Sequence, residues 1–429
     1  MKKNPRQIWK KATEIIPGGN GLLSKRPDRF LPGGWPIYYS RAKGSHIWDL
    51  NNNKYIDMSL MGIGTSVLGY SNSYVDNFVK KKIDLGVNTT LNSIEEYQLA
   101  KEILKIDKFA DQVKFARGGG EAMSLAVRIA RTKSKKSKVL FCGYHGWHDW
   151  YIAANLANIK NLNNHLLKNL TPAGVPSNLK NSSEPLKIND IHELIRKTKK
   201  KNIAAIIVEP ARNDYLKKEF ILELNKVCRD NNIILIIDEI TLGWRECLGG
   251  VYRKIGLKPD MVVYGKAMGN GYAISAVVGK KKIMNAAQNT FVSSVAWTEK
   301  VGFAAGLAVI NFHKKKNIFS KNRKIGKLIK EGLLRIAKKH NLEIEISTLD
   351  TVVNFNFKRN NDYLSTIFTE LMLKKKFLAT NLIYVSYSHT LDIVEKYFKA
   401  VDWSFEKISK SIKLKKDILK SKIRNYNYK

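Results

Sequence analysis

Two residues of this chain stand where they could do carbonyl chemistry, an aspartate and a lysine at the ends of two apolar runs. Residues 233–237 form the first run, which stops at Asp238, and residues 261–264 form the second, which is followed by Gly265 and Lys266. A lysine amine forms an imine with an aldehyde, and a buried aspartate keeps a heterocyclic nitrogen protonated. These are the two groups that pyridoxal 5'-phosphate (PLP) requires of a protein.

Buried strands are the elements that must position this pair. Short runs that are rich in β-branched residues and ended by charge are typical of parallel strands buried on both faces. In an open α/β sheet, ligands bind at the carboxyl ends of the strands, so we expect Asp238 and Lys266 at one edge, on strands that could be neighbours. The alternative interpretation is an aspartate that only ends its strand and a lysine that is only solvated.

A glycine-rich turn supplies a candidate phosphate site. A predicted strand at residues 113–116 leads into the run RGGGE at residues 117–121, and a helix is predicted from there to residue 131. Backbone N–H groups and the helix dipole at such a start bind phosphate, and glycine lets the anion approach the backbone. A flexible turn without a ligand is the alternative.

An aromatic and histidine-rich run follows another predicted strand, at residues 138–142. The run is GYHGWHDW at residues 143–150, and Tyr144 at the strand end could stack on a flat cofactor. Cys142, His145 and His148 suggest a metal instead, but their spacing fits no structural zinc site. We therefore predict no metal.

Composition limits the class of protein. A chain of 429 residues with 44% hydrophobic residues can bury a large core and is expected to be globular. Its three cysteines form no disulfide framework, which indicates a reducing compartment and a cytoplasmic location. We predict neither a signal peptide nor a membrane span, since no apolar run approaches ~18 residues.

The charge is strongly basic, with 75 Lys and Arg against 37 Asp and Glu, or 75 − 37 = +38. Such an excess is one mark of a nucleic-acid-binding protein. The lysines are spread along predicted helices, and no RNP, KH or zinc-finger pattern is present, so we favour a compositional preference for Lys, Asn and Ile codons. A basic RNA-binding protein is kept as the alternative from another class.

The distribution of turn, strand and helix signals along the chain predicts three segments. Residues 1–69 carry a turn-rich arm and a hairpin that would join a small domain, residues 70–312 alternate strands and helices as a large cofactor-binding domain, and residues 313–429 form an α+β small domain. Residues 1–40 are predicted as a wandering arm, and the Asn-rich residues 155–190 as an excursion over the surface. No GxGxxG or GxxxxGK[ST] pattern follows a strand, which excludes the dinucleotide and P-loop signatures.

Taken together, these segments resemble the class III PLP-dependent aminotransferases, in particular the glutamate-1-semialdehyde 2,1-aminomutase branch. The matching runs span about residues 15–310 and are IIPGGN, AKGSHIWDLNNNKYID, FARGGGEAMSLAVRIAR, CGYHGWHDW, AAIIVEP, IILIIDEI, PDMVVYGKAMGNG and SSVAWTE. The resemblance implies the α/β fold type I, in which helices sandwich a mainly parallel sheet beside a smaller α+β domain. It also implies a homodimer with active sites at the subunit interface.

The resemblance also implies site residues, carried over position by position. Lys266 would be the Schiff-base lysine and Asp238 the partner of the pyridine nitrogen, which makes them the catalytic pair. The threonine that the neighbouring subunit often contributes in the family aligns with Val295, so Ser294 or Ser293 would stand in for it. The cofactor-binding residues implied are Gly119, Gly120, Glu121, Tyr144, Glu209, Asp238, Ile240, Lys266 and Ser294.

Two departures from the aminomutase pattern bear on the reaction. The phosphate turn of that branch reads Asn-Ser-Gly-Thr-Glu-Ala, whereas here it reads RGGGEA, so backbone N–H groups and Arg117 are the candidate phosphate donors. The substrate-binding arm of the branch, with its Val-Arg pair, is not cleanly present. We expect an aminotransferase that moves an amino group from a small-molecule donor to an aldehyde or keto acceptor, with sugars among the candidates. An aminomutase that makes 5-aminolevulinate is the alternative.

Overall fold

The computed structural model describes residues 4–165 and 168–424. The described chain divides into two compact units, residues 4–72 with 317–424, and residues 73–316. The strands are, in chain order, β1 (Tyr39–Lys43), β2 (His46–Asp49), β3 (Lys54–Met58), β4 (Gln112–Ala116), β5 (Lys138–Cys142), β6 (Ser183–Pro185), β7 (Ile203–Val208), β8 (Ile234–Asp238), β9 (Met261–Tyr264), β10 (Ser275–Gly279), β11 (Ile344–Ile346), β12 (Val352–Phe357), β13 (Phe377–Ala379) and β14 (Leu382–Tyr384).

No helix in the described parts of the chain is both long and apolar enough to cross a membrane. The helices are, in chain order, α1 (Pro5–Ile15), α2 (Ser73–Ile83), α3 (Ile94–Ile106), α4 (Gly119–Ser134), α5 (Asp149–Ile152), α6 (Ala154–Ala157), α7 (Ile191–Thr198), α8 (Lys218–Asp230), α9 (Tyr252–Ile255), α10 (Lys281–Met284), α11 (Lys300–Lys315), α12 (Ile318–Lys339), α13 (Asn361–Lys374) and α14 (Leu391–Lys413).

The larger unit is built on a seven-stranded sheet in the order β4-β10-β9-β8-β7-β5-β6. The run from β9 to β6 is parallel throughout, while β10 is antiparallel to both β9 and β4. The apolar runs predicted as strands are β7, β8 and β9, and β8 and β9 are adjacent. Asp238, the last residue of β8, and Lys266, which follows β9, therefore belong to neighbouring strands, an arrangement that the sequence had left open.

Burial of the central strands explains why their sequences are almost wholly apolar. All six residues of β7 and all five of β8 are buried. Helix α4 packs against β4 and β7–β10, and its small and aliphatic side chains share a core cluster with alternate residues of the strands. Helix α8 packs against β8. This α/β architecture places the carboxyl ends of β8 and β9 beside the start of α4.

The smaller unit has two sheets of its own. One is ordered β1-β2-β3-β13, with β13 parallel to β3, and the other is the antiparallel set β11-β12-β14. Helices α12, α13 and α14 cover them, and their apolar stripes form a separate core cluster with the strands. This α+β unit combines the N-terminal and C-terminal parts of the chain. The assignment of residues 1–69, 70–312 and 313–429 to functional domains stays a prediction.

Two loop predictions were wrong. The predicted arm contains helix α1, where the Asn4 side chain accepts the N–H groups of Arg6 and Gln7 as an N-cap. The predicted surface excursion at residues 155–190 contains β6 and buries Leu162 and Leu170 in the core cluster of the larger unit. The polar residues misled the prediction because buried asparagine satisfies backbone groups there.

Candidate active site

The aspartate at the end of β8 is buried and held through both oxygens. Asp238 continues the alternation of Ile234 and Ile236, whose side chains lie in the core cluster beside α4. Its Oδ1 accepts the Ile240 N–H at 3.0 Å, and its Oδ2 lies 2.7 Å from Nδ1 of His145. Only 4% of Asp238 is exposed. The orientation of the carboxylate is therefore fixed by its neighbours.

The histidine that holds this carboxylate is itself fully enclosed. The His145 side chain has no exposed surface, and its ring lies nearly parallel to Trp150, with the ring centroids 6.3 Å apart. Its Nε2 is buried and has no hydrogen-bond partner within the described residues. Buried polar atoms are normally paired, so the unpaired Nε2 is an exception. It indicates that the His145–Asp238 pair has a role other than packing.

The lysine after β9 is held close to the end of β8. Lys266 opens a turn of 3-10 helix with φ of +43°, in the left-handed region that non-glycine residues rarely adopt outside turns and functional sites. Its Nζ donates a hydrogen bond to Oγ1 of Thr241 at 2.9 Å. Thr241 lies three residues beyond Asp238, so this contact joins the ends of the two adjacent strands.

The start of helix α4 has backbone N–H groups left over. The Glu121 carboxylate turns back to accept the N–H groups of Arg117 at 2.9 Å and Gly118 at 3.2 Å. The N–H groups of residues 119–121 have no acceptor within the helix, since its first helical bond runs from Ala122 to Gly118. Burial acts to raise the pKa of Glu121, but the hydrogen bonds it accepts leave that pKa below its ordinary value. It is the unpaired N–H groups of residues 119–121, not the Glu121 carboxylate, that make this turn suited to an anion.

The loop after β5 presses directly on this helix start. Gly146 has φ of +104°, and a Cβ there would lie 2.8 Å from the Cα of Gly120. A Cβ on Gly120 would lie 3.1 Å from Nδ1 of His148. Gly146 therefore has to be glycine, because a side chain there would meet the backbone of Gly120, and a side chain on Gly120 would fit only if the His148 ring shifted slightly.

Ile240 fills the space between the helix start and the end of β9. A Cβ on Gly119 would lie 2.9 Å from Cδ1 of Ile240, and one on Gly265 would lie 3.5 Å from its Cγ2. The structure therefore gathers Gly119, Gly120, Ile240 and the residue before Lys266 around one small region.

Glu209 acts on the loop that carries Tyr144. Its Oε2 accepts the Tyr144 N–H at 3.0 Å, and its carboxylate fills the space where Gly143 would carry a side chain. Arg212 pairs with it, with Nε 3.1 Å from the same oxygen. Glu209 is 8% exposed, so this ion pair anchors the backbone of Tyr144 from the interior.

Two predicted residues lie apart from this group. Ser294 is half-buried in the stretch before a 3-10 turn, and within the described residues no hydrogen bond joins it to Asp238 or Lys266. The guanidinium of Arg117 packs over the Phe303 ring at 4.8 Å and pairs with the side chain of Glu299 at 3.6 Å. The guanidinium of Arg117 is therefore directed toward α11, where its Nε and Nη1 are buried without a hydrogen-bond partner within the described residues.

Three site residues escaped the analysis of the sequence, namely His145, His148 and Thr241. Both histidines belong to the run GYHGWHDW but were weighed only as metal ligands, and the described residues contain no group of three or more His, Cys, Asp or Glu that could hold a metal. Their position directly after a strand was the usable signal. Thr241 carried no signal, since its role depends on the pairing of β8 with β9.

The carboxylate next to Asp238 has a different setting. Glu239 has no exposed surface, its Oε1 accepts the Tyr252 N–H at 2.7 Å, and its Oε2 has no partner within the described residues. The Tyr252 hydroxyl donates to Asp107 at 2.8 Å. Burial raises the pKa of Glu239 to about 8, with Asp107 and Asp238 adding to the effect. Glu239 is therefore protonated at neutral pH.

Comparison with known sequences gives one consistent family. The Aminotransferase class-III family matches residues 32–380. Glutamate-1-semialdehyde 2,1-aminomutase from Archaeoglobus fulgidus is 28% identical over 425 residues, which cover 93% of this chain and 98% of that protein. A 3-aminobutyryl-CoA aminotransferase from Cloacimonas acidaminovorans is 26% identical, covering 94% of this chain and 97% of that protein.

Solved structures share the fold. The FumI protein of Sphingopyxis in its PLP internal aldimine form superposes with a TM-score of 0.87 at 24% identity and covers 98% of both chains. A transaminase with PLP bound has a TM-score of 0.83 at 18% identity, covering 96% of this chain and 99% of that one. The fold is that of the PLP-dependent transferases of fold type I. Because the family match extends over most of the chain, this protein is a member of the class III aminotransferases, which are PLP-dependent enzymes.

Proposed function

We propose that this enzyme transfers an amino group from a donor molecule to a separate aldehyde or keto acceptor, and that Lys266 and Asp238 are its catalytic residues. The observation that carries the proposal is their placement at the carboxyl ends of the adjacent strands β9 and β8. The turn at the start of α4 supplies free N–H groups to the same unit.

The described residues near the ends of β8 and β9 have the groups needed to bind PLP. The N–H groups of residues 119–121 suit the phosphate, since none of them has an acceptor within α4. Tyr144 and Ile240 offer apolar surface for the ring, and Asp238 offers a carboxylate for its nitrogen. The amine of Lys266 would take the aldehyde, since its one described hydrogen bond is to a neutral hydroxyl.

When bound, PLP supplies an electron sink for the bond that breaks at the substrate α-carbon. Asp238 would hold a positive ring nitrogen, and the Ile240 N–H and the His145 ring fix the orientation of its two carboxylate oxygens. The amine of Lys266 would hold the cofactor and is also the group that would move a proton to or from the reacting carbon. Thr241 sets the position of Nζ through its hydroxyl.

The glycine-rich arm at residues 17–36 favours transamination between two molecules. An aminomutase must retain its intermediate while the amino group changes carbon, which requires a specific arm that closes over it. Here the arm departs from the aminomutase pattern, and its Arg26 is paired with Asp28 at 3.2 Å. The aminomutase stays as the second candidate, because the relative from Archaeoglobus fulgidus and several others carry that name.

Supplying glutamate 1-semialdehyde alone to the pyridoxamine form of the enzyme separates the two reactions. We expect no sustained production of 5-aminolevulinate, together with activity that depends on an added amino donor. Continuous turnover of the semialdehyde without any donor would instead identify an aminomutase.

We also propose a homodimer in the cytoplasm. Large apolar side chains on the larger unit are exposed, including Leu91 at 82%, Phe291 at 84% and Val295 at 76%, which is surface that a second copy would cover. Ser294 is next to Val295 in the chain, so we expect it to act at the interface with the partner subunit. Sedimentation equilibrium tests the dimer, and a monomeric active enzyme would contradict it.

The three free cysteines suit a reducing compartment, which supports the proposed location in the cytoplasm.

A further inference from the structure

The phosphate turn of this protein has no hydroxyl side chain. Its residues are Arg117, three glycines and Glu121. The guanidinium of Arg117 lies against α11, where it pairs with Glu299 and its Nη1 lies 2.9 Å from the Cβ position of Gly302, although its Nε and Nη1 have no hydrogen-bond partner within the described residues. Glu121 is acidic and bonded to the backbone. Backbone N–H groups are thus the donors that the turn itself can offer, and the glycines leave space beside them.

A histidine from another element occupies that space. Nδ1 of His148 lies 3.1 Å from the position of a Cβ on Gly120, and Cε1 lies 3.2 Å from it. This nitrogen is buried and has no hydrogen-bond partner within the described residues. The imidazole therefore stands where a side chain of residue 120 would begin, with an unused polar atom.

The position of this ring is determined by its neighbours. The indole of Trp147 stacks on it with the centroids 4.4 Å apart and the planes 25° apart. Gly146 fixes the loop against Gly120 through a left-handed conformation that only glycine adopts readily. Burial lowers the pKa of His148, although Glu121 and Asp149 act in the opposite direction. The ring is thus neutral at neutral pH, with one N–H to donate.

We propose that His148 binds the phosphate group of PLP through its ring N–H and takes the place of a hydroxyl side chain at position 120. The inference rests on the proposed function, because it assigns the phosphate to the start of α4. It explains together why position 120 is glycine, why Gly146 approaches it and why a polar atom of His148 is left without a partner.

Calorimetric titration of the apoenzyme with pyridoxamine 5'-phosphate and with pyridoxamine measures the phosphate contribution without a covalent bond. We expect His148→Ala to weaken binding of the phosphorylated ligand by roughly tenfold or more and to leave binding of pyridoxamine unchanged. His192→Ala, which removes an exposed histidine of α7, should change neither value.

A serine at position 120 tests more directly whether His148 replaces a hydroxyl side chain. Gly120→Ser alone should weaken binding of the phosphorylated ligand, because its Cβ would press on the imidazole. In the His148→Ala background the same substitution should restore most of the lost affinity. Circular dichroism of each variant confirms that it is folded.

The outcomes separate this inference from the proposed function. If the wild-type apoenzyme does not distinguish the phosphorylated ligand from pyridoxamine, both fail. If the wild type does so and His148→Ala binds the phosphorylated ligand equally well, the role of His148 alone is overturned. Failure of Gly120→Ser to restore affinity in the His148→Ala background would overturn the replacement of a hydroxyl.

Discussion

Two regions of the larger unit lie side by side but are built in opposite ways. At the strand ends, defined here as Asp238, Thr241 and Lys266, functional atoms belong to side chains that their neighbours hold at fixed distances. At the glycine contact, defined as Gly120 and the loop 143–148, the useful groups are backbone N–H donors that are accessible because side chains are missing.

This difference determines how each region can fail. The strand ends lose function when a side chain is removed, since no other atom can replace the amine or the carboxylate. The glycine contact loses function when a side chain is added, because the loop and the helix start already touch. We therefore expect removal at the strand ends to affect chemistry and addition at the glycine contact to affect cofactor retention and stability.

Asp238→Asn should have the largest effect on rate. The neutral amide cannot hold a protonated ring nitrogen, so we expect PLP to stay bound while kcat falls by about two to four orders of magnitude, each tenfold loss being about 1.4 kcal/mol of barrier. Steady-state kinetics with absorbance of the bound cofactor measures both. Near-normal turnover would make Asp238 a simple strand terminator.

Adding a methyl group at the glycine contact should act on stability instead. Gly146→Ala combines a left-handed φ with a contact of 2.8 Å to backbone, and we expect the free energy of unfolding to fall by about 2–4 kcal/mol, with weaker PLP retention. Gly174→Ala is the matched control, because its φ is +83° but nothing lies within 4 Å. Equal losses in the two variants would show that the close contact costs nothing.

The second carboxylate at the strand end should affect the pH dependence of stability. The pKa of Glu239 in the folded protein, about 8, lies above its pKa in the unfolded chain. The contribution of Glu239 to the free energy of unfolding is therefore fully present below the unfolded-chain pKa, and it is lost as the pH rises from there to about 8. Glu239→Gln stays neutral and should lose on the order of 1–3 kcal/mol less unfolding free energy between pH 5 and 8.

Denaturant unfolding at several pH values measures this difference. The same variant serves as a control for Asp238→Asn, since it replaces an adjacent carboxyl group by an amide, and that carboxyl faces Tyr252 rather than His145. Its kcat at neutral pH should stay within a few-fold of the wild type. Parallel pH profiles for variant and wild type would mean that Glu239 is ionised in the folded protein.

Thr241→Val should have the smallest effect of the series. It keeps the shape of the side chain but removes the acceptor for Lys266 Nζ, which is worth about 1 kcal/mol for a single hydrogen bond. We expect kcat to fall by several-fold, and Thr241→Ser to retain wild-type turnover. A loss of several orders of magnitude in Thr241→Val would assign the threonine a larger part than positioning.

The sequence predicted the strand ends well because their signals are local. An apolar run that stops close to a charged residue identifies a buried strand with a charged side chain at its carboxyl end, as at Asp238 and Lys266. Burial of both faces of the sheet leaves few other arrangements for such runs. The α/β pattern predicted both residues at the same edge of the sheet but left open whether their strands are adjacent, which the pairing of β8 with β9 shows.

The glycine contact could be predicted only in part because its contacts are long-range. The run at residues 117–121 indicated an anion site, but nothing in it showed that His148 would occupy the space beside Gly120. The polar stretch at residues 155–190 misled for a similar reason. Asn155 donates to the Leu170 carbonyl at 2.7 Å and accepts the Leu162 N–H at 3.0 Å, which lets a polar segment enter the core.

The central claim is that Lys266 carries the cofactor, and the absorption spectrum of the purified enzyme tests it most directly. The wild type with PLP should show a near-visible band, and borohydride reduction followed by peptide mapping should find the cofactor fixed on Lys266. The Lys266→Ala variant should lack the band and the fixed label while remaining folded. An unchanged band in that variant, or a label on another lysine, would contradict the account.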